Sequence, residues 1–333
     1  MHHRSLLNRA CGVGLTFALC ACSPSGGTNT PTSVAVSTAV QATSAPQPTS
    51  VPPTVAPPST VAPAPTNVAA TQPAGVADTG AAVQIVIDYY SALAQKQYDQ
   101  AYGLWAQNGA ASGQSRAEFE QGYANTAGIS VLLDSATAGD GSVTVPITIL
   151  AVENQADQSQ KPQRFAGTYT LRQEAGNWRI AGAQIAADAS AEPPAGVGDA
   201  LQVLQNYYAA INSRNYPRAY SYWENNGAAS KQSYMAFAQG FAETDRVSVT
   251  VGQAQTGGAA GSTYSDIPVV VIAEQRDGSR HSFCGTYTLR RVNVPPFDTF
   301  GWRIYNASIL QLENVQLDDA TIQRLLAGQC AAR

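Results

Sequence analysis

The sequence predicts an α+β fold class in two tandem copies, each with N-terminal helices packed on a curved antiparallel sheet, after a long disordered tether. Three observations carry this. The stretch from Gln84 to Thr126 recurs without a gap from Gln202 to Thr244, with about half of the positions identical, which marks a true internal repeat. Within each copy the apolar period runs first at three and four residues and then at two, and helices followed by a run of strands is the α+β order. Ahead of the first copy, residues 23–77 carry no charge and are rich in Pro, Thr, Ser, Ala and Val. Such a composition buries too little surface to offset its ordering entropy.

At 333 residues the chain is long enough for two domains of ordinary size. Charged residues form only 13% of it, well below the usual quarter. The formal net charge is -4 and becomes -6 once a leader carrying Arg4 and Arg9 is removed. No Lys/Arg cluster supplies the electrostatic footprint of a nucleic-acid binder, so nucleic acid is set aside as a partner.

Residues 1–21 have a basic start and then the apolar run CGVGLTFALCA, too short to span a bilayer and typical of a signal peptide. The run ends Leu19-Cys20-Ala21-Cys22, which resembles the bacterial lipobox. That resemblance implies cleavage before Cys22, lipid attachment to its sulfur, and a partner in the membrane itself; Cys20 at the second position is a mild departure. The acyl chains would anchor the protein without a transmembrane helix, at the cell membrane or outer membrane of a bacterium, on the extracytoplasmic side. Residues 22–80 are then a lipid-anchored disordered linker. Its prolines favour polyproline II, with a reach on the order of 170 Å at about 3.1 Å per residue.

The elements follow in order. Val83, Val86, Ile87, Tyr90 and Leu93 recur at helical steps, as do Val203, Leu204, Tyr207, Tyr208 and Ile211. A second stripe, Tyr98-Ala101-Tyr102-Trp105, is matched by Tyr216-Ala219-Tyr220-Trp223, and Asn108-Gly109 and Asn226-Gly227 end both. Ser115 to Glu118 reads as a capping box opening a third helix, and Ser233 caps its twin. The period then becomes two: Val143, Val145, Ile147 and Ile149 alternate with polar residues or Pro, with Ile267 to Ile272 as the counterpart. The shared segments GTYTLR and WRI supply the remaining strands, joined by a turn at Gly176-Asn177 or by a longer hairpin from Arg291 to Gly301. Leu317 to Leu326 adds a helix that the first copy lacks.

The order YY…A…Y…AY…W, F…G(Y/F), GTYTL and WRI resembles the nuclear transport factor 2-like (NTF2-like, cystatin-like cone) superfamily, in the versions found in bacterial envelope lipoproteins. The resemblance implies NTF2-like domain 1 over 81–187, an interdomain linker at 188–198, NTF2-like domain 2 over 199–316, and a C-terminal helix and tail at 317–333. Some cone relatives are isomerases, dehydratases and cyclases that use an Asp or His base beside a Tyr or acidic donor. Little of that transfers: Asp88 becomes Asn206, His281 stands where the first copy has Gln163, and the shared pair Glu153 and Glu274 sits at a solvated strand end. No catalytic residue, cofactor or metal ligand is therefore assigned.

The aromatics Tyr90, Tyr102, Trp105, Tyr208, Tyr220 and Trp223 either line a ligand cavity or plug it as core. Of the five cysteines, Cys284 and Cys330 fall in the folded part. A secreted compartment favours their pairing, two free thiols being the alternative. The expected function is a non-enzymatic surface lipoprotein binding an unknown protein or small apolar ligand at the envelope. The alternatives are an enzyme with one active and one degenerate domain, or a structural spacer.

Overall fold

A computed structural model describes residues 74–190, 199–313 and 315–330, with side chains from Thr79 onward. The leader, Cys22, the tether to residue 73 and most of the interdomain linker lie outside the described residues. Among the described residues no helix is long and apolar enough to cross a membrane.

The first repeat, labelled domain 1, runs α1 (Ala74–Ala94), α2 (Tyr98–Gly103), α3 (Arg116–Tyr123), β1 (Thr126–Leu133), β2 (Thr137–Gly139), β3 (Ser142–Asn154), β4 (Gln160–Glu174) and β5 (Asn177–Ala187). Domain 2 repeats it as α4 (Ala200–Asn212), α5 (Tyr216–Ser221), α6 (Tyr234–Gly240), β6 (Thr244–Val251), β7 (Gln255–Ala259), β8 (Ser262–Gln275), β9 (Arg280–Val292) and β10 (Arg303–Leu312). A short helix α7 (Asp319–Arg324) follows. Each domain is α+β, with an antiparallel sheet ordered β1-β3-β4-β5 or β6-β8-β9-β10 and β2 or β7 extending the β1 or β6 edge.

Helix α1 begins inside the stretch that the sequence assigned to the tether. The tether's prolines end at Pro73, and past it nothing bars an Ala-rich segment from extending the helix. The capping box at α3 is complete: Ser115 Oγ accepts the Glu118 N–H at 3.3 Å and the Glu118 carboxylate accepts the Ser115 N–H at 2.8 Å. The β4–β5 turn is Ala175-Gly176, one residue earlier than expected, with φ of 49° and 79°, the two positive values a type I′ hairpin needs. The ladder also separates Glu153 from Glu274: Thr126 opposes Glu153 while its twin Thr244 opposes Gln275. The carboxylates of the apparent shared pair therefore occupy different positions.

The strands bury Val143, Val145, Ile147 and Ile149 on one face against α1, and one apolar cluster runs through both domains. The opposite, outer face of domain 1 is also covered. There Ser130 and Gly128 of β1 oppose Leu150 and Val152 of β3, so all four share a face, and Leu150 and Val152 are 1% and 0% exposed. Domain 2 provides the cover. Arg303 donates to Ser130 Oγ at 2.8 Å, and a Cβ at Gly128 would stand 2.8 Å from the Phe297 ring in the long hairpin. Ser221 Oγ accepts the Leu133 N–H at 3.1 Å, Gln84 Oε1 accepts the Tyr234 N–H at 2.8 Å, and Asp134 takes Asn215 and Arg218, the latter at 3.2 Å.

On domain 2 the outer face carries Val270 and Cys284, and the C-terminal segment covers them. Leu326 is buried with both residues, and Cys284 is bridged to Cys330. Asp318 caps α7 by accepting the Thr321 N–H at 2.7 Å, and Gly328 (φ 93°) ends the following turn.

Two outcomes follow from this packing. Cys330→Ser opens a loop of 46 residues and should cost about 2–4 kcal/mol, read as a lower unfolding midpoint and faster hydrogen exchange over 319–329; unchanged exchange there would show that Leu326 alone holds the segment. Burial raises the Asp134 carboxyl, but the Ser135 N–H, Asn215 and Arg218 together bring it below its ordinary 3.8. A depressed folded pKa means that the stabilisation is present above the ordinary value and lost as pH falls through the folded one. Acid should therefore loosen the seam below about pH 4, and Asp134→Asn should flatten that part of the stability-versus-pH curve.

Candidate functional site

The cone of each domain is the place to expect a ligand, and in both it is filled from its own walls. In domain 1, α1 supplies Tyr89 and Tyr90, the end of α2 supplies Trp105, and β4 supplies Tyr169; all four are at most 7% exposed. Their rings meet edge-on, with centroids 5.1 to 6.1 Å apart, the arrangement that aromatic quadrupoles favour. The Tyr90 and Tyr169 hydroxyls pair across the cone at 2.8 Å, and Tyr89 pairs with Tyr123 at 2.7 Å. Domain 2 repeats the plug with Tyr207, Tyr208, Trp223 and Tyr287, and Tyr208 and Tyr287 pair at 2.9 Å. Phe241 stands in place of Tyr123, so the second hydroxyl pair has no counterpart.

Burial pushes the Tyr90, Tyr169, Tyr208 and Tyr287 phenols up from their ordinary value. They are neutral hydrogen-bonding groups, not phenolate bases. The Trp105 and Trp223 indole N–H groups are buried without a hydrogen-bond partner. Tyr89 and Tyr207 lie edge-on to them at 6.0 and 6.2 Å, near enough for electrostatic stabilisation but without hydrogen-bond geometry. Among the described residues the buried polar side chains are Ser130, Ser221, Thr244, Ser262, Ser265 and Arg303, with no carboxylate or histidine.

Tyr102 and Tyr220 lie at the rim. Their hydroxyls donate to the Gln114 and Gln232 carbonyls at 2.9 and 2.7 Å. Each ring lies under the Asn-Gly-Ala-Ala-Ser loop, where a Cβ at Gly109 or Gly227 would fall 2.0 or 1.8 Å from a ring carbon. Both glycines also have φ near +98° (97° and 99°), a region costly for any residue with a Cβ. The glycine is kept in both copies because the ring leaves no room for a Cβ. Just before it, Ala106 N–H bonds the Ile180 carbonyl, and Ile180 N–H bonds the Leu104 carbonyl, both at 2.9 Å; Glu224, Ile304 and Tyr222 repeat this. These bonds clamp the helix end to the last strand and close the cone.

The charged candidates scatter. Asp88 accepts from Gln84 at 2.8 Å, and burial raises its carboxyl. Its charge also acts on the Tyr220 hydroxyl of domain 2, which places it at the interdomain seam. Glu153 accepts from Thr126 at 2.8 Å, Glu274 pairs with Arg280 at 2.5 Å, and His281 lies exposed beside Gln311 at 3.3 Å. Among the described residues no group of three or more His, Cys, Asp and Glu is placed to hold a metal. Arg290 pairs with Glu224 at 2.6 Å. Arg303, buried in the seam, has its pKa lowered by that burial to about 10 and remains a cation at neutral pH. Concavities among the described residues include a dent of about 520 Å³ lined by Asp245, Glu274, Gln275, Arg276, Gly278 and Arg280, and a smaller one of about 310 Å³ at Arg291, Asn293 and Asp298. Both lie outside the cones.

The residues that sequence reasoning missed are Tyr169 and Tyr287, the far halves of the hydroxyl pairs. Their signal was present in the shared GTYTL segment. A hydroxyl deletion tests the plug: Tyr208→Phe should cost about 1–2 kcal/mol by leaving the Tyr287 hydroxyl unpaired, while Tyr208→Phe with Tyr287→Phe should cost less than twice that, read from denaturant midpoints.

No family model and no curated protein matches the chain. Among solved structures it is similar to a chain described as a calcium/calmodulin-dependent protein kinase II association domain from Xanthomonas campestris, at 13% identity over 31% of this chain and 81% of that one, with a TM-score of 0.24. It is also similar to an Ntf2-like protein involved in plasmid conjugation, at 11% identity over 71% of this chain and 96% of that one, with a TM-score of 0.22. Likeness at this level says nothing of activity or partner.

Proposed function

We propose that the chain is a non-enzymatic binding or interaction module of the bacterial envelope, built of two NTF2-like cones and tethered to a membrane through lipid on Cys22. The observation that supports this is the pair of hydroxyl bonds, Tyr90–Tyr169 and Tyr208–Tyr287, that cross the two cones. An acid/base enzyme of the cone type needs room for substrate and an ionisable group beside it, whereas here ring edges occupy the interior and phenols of raised pKa do the hydrogen bonding. Binding then belongs to the outside of the domains. The leader and the tether support the envelope address, since the lipobox-like LCAC places a cysteine where acylation would anchor a long spacer. The same filled cones favour a second reading, a spacer without a ligand.

The closed cone has a direct test. The full-length protein should give no saturable fluorescence enhancement with 1-anilinonaphthalene-8-sulfonate, and Tyr287→Ala should create a binding site by emptying the centre of domain 2. Saturable stoichiometric binding by the unmodified protein would sink the closed-cone reading. In bacterial cells fed an alkyne fatty acid, Cys22→Ala should abolish labelling; label retained on that variant would overturn the anchor.

A further inference from the structure

The two domains differ most informatively where both are open to solvent. On the outer face, at the end away from the C-terminal segment, the ladders align Tyr264, Arg290 and the buried Arg303 in one row and Asp266, Thr288 and Asn306 in the next, across β8, β9 and β10. Tyr264 opposes Arg290, and Asp266 opposes Thr288, which opposes Asn306, with Tyr305 in the bulge between Ile304 and Asn306. The same ladder positions in domain 1 are Ser142 with Arg172, Thr144 with Thr170 and Gly182, and Ala181 in the equivalent bulge. Arg172, Arg179 and Thr170 keep their counterparts in Arg290, Arg303 and Thr288, while four positions change, each to a group that can stack or hydrogen-bond: Ser142 to Tyr264, Ala181 to Tyr305, Thr144 to Asp266 and Gly182 to Asn306.

Covering by another element does not explain this difference, because Arg172 is exposed in domain 1 and Tyr305 is 46% exposed in domain 2. An exposed ring has a hydration cost that a small residue in the same bulge avoids. Tyr305 is held by its neighbours: the Tyr264 ring meets it edge-on at 5.7 Å, and the Arg290 guanidinium lies 5.9 Å from its centroid. Arg290 is in turn fixed by Glu224 at 2.6 Å and Ser262 at 3.1 Å.

We propose that this platform binds a neutral glycan chain, with a sugar ring stacked on Tyr305 and its hydroxyls taken by Asp266 and Asn306. The Arg290 charge is neutralised by Glu224, which leaves the exposed Asp266 carboxylate as the open charge of the patch. That balance disfavours a polyanion and suits O–H donors, to which a carboxylate is a strong acceptor. The Asp266 carboxylate is oriented by Thr288 at 2.5 Å. Three strands about 4.8 Å apart and two rows about 7 Å apart give a platform on the scale of one or two pyranose rings. The inference names a partner class for the binding-module reading above and rests on it.

The test is native electrophoresis of the full-length protein through gels containing laminarin, dextran or hydroxyethyl cellulose. The expected result is retardation by at least one polysaccharide, weakened tenfold or more by Tyr305→Ala and by Asp266→Ala, and unchanged by Arg172→Ala at the matching place in domain 1. Circular dichroism melts confirm that each variant is folded. Unaltered migration in all three gels, or retardation that Tyr305→Ala leaves intact, overturns the proposal. Neither result touches the dye and fatty-acid experiments, so failure of the glycan site is distinguishable from failure of the binding-module reading.

Discussion

A sheet has two faces, and the constraint on which this structure depends is what covers the second one. The helices of each repeat cover only the cone side. In domain 1 the opposite side carries Leu150 and Val152, essentially without solvent exposure, on a face that domain 2 reaches through Arg303 and the Phe297 hairpin. An apolar face of this kind left open would be a site for unwanted association. The tandem arrangement closes it within one chain, and the apolar cluster that runs through both domains is the result.

The contact is head-to-tail: β1 and α1 of the first domain receive α5, α6 and the long hairpin of the second. A heterologous contact between repeats propagates unless something stops it, and domain 2 has been changed at the receiving positions. The β6 residues that match Ala127 and Gly128 are Asp245, in the irregularity after Thr244, and Arg246, opposite Glu274; both are exposed. An arginine in place of Gly128 would meet the ring of Phe297. Gly252 stands where Asp134 binds Asn215 and Arg218, and the Leu326 side chain lies over it. The C-terminal segment and its disulfide therefore occupy, on the second sheet, part of the ground that domain 2 occupies on the first.

Much of this was legible from residues alone. Repetition announced two copies of one element order, the switch of period gave helices before strands, and Ser115 with Glu118 announced a helix start that the structure keeps. The pairing of Cys284 with Cys330 was readable from the secreted compartment that the leader implies. Less could be read of what lies between the domains. Gly128, Ser130 and Val152 look like ordinary strand residues until a partner face is placed on them. The Glu153 and Glu274 comparison failed for a related reason: the β7–β8 hairpin has five ladder pairs where β2–β3 has three, so equal sequence context does not mean equal ladder position. The choice between lining and plugging for Tyr90, Tyr102, Trp105, Tyr208, Tyr220 and Trp223 depended on hydroxyl partners far away in sequence.

Duplication usually invites the assumption that what is kept in both copies is the function. Here the residues kept are accounted for by packing: Gly109 and Gly227 because a ring lies under them, Trp105 and Trp223 because the helix end is clamped to the last strand, Tyr90 and Tyr208 because each needs its partner across the cone. Once those are set aside, the differences sort by physical cause. The long hairpin, Cys284 and the C-terminal helix cover or bridge sheet faces, and Arg246 solvates one left open. Tyr264 and Tyr305 do neither, since the same surface in domain 1 is open and manages with Ser142 and Ala181. Two rings placed on a solvated strand face, braced by Arg290, are a cost to the isolated protein that packing does not return, and a partner on that face is what would offset it.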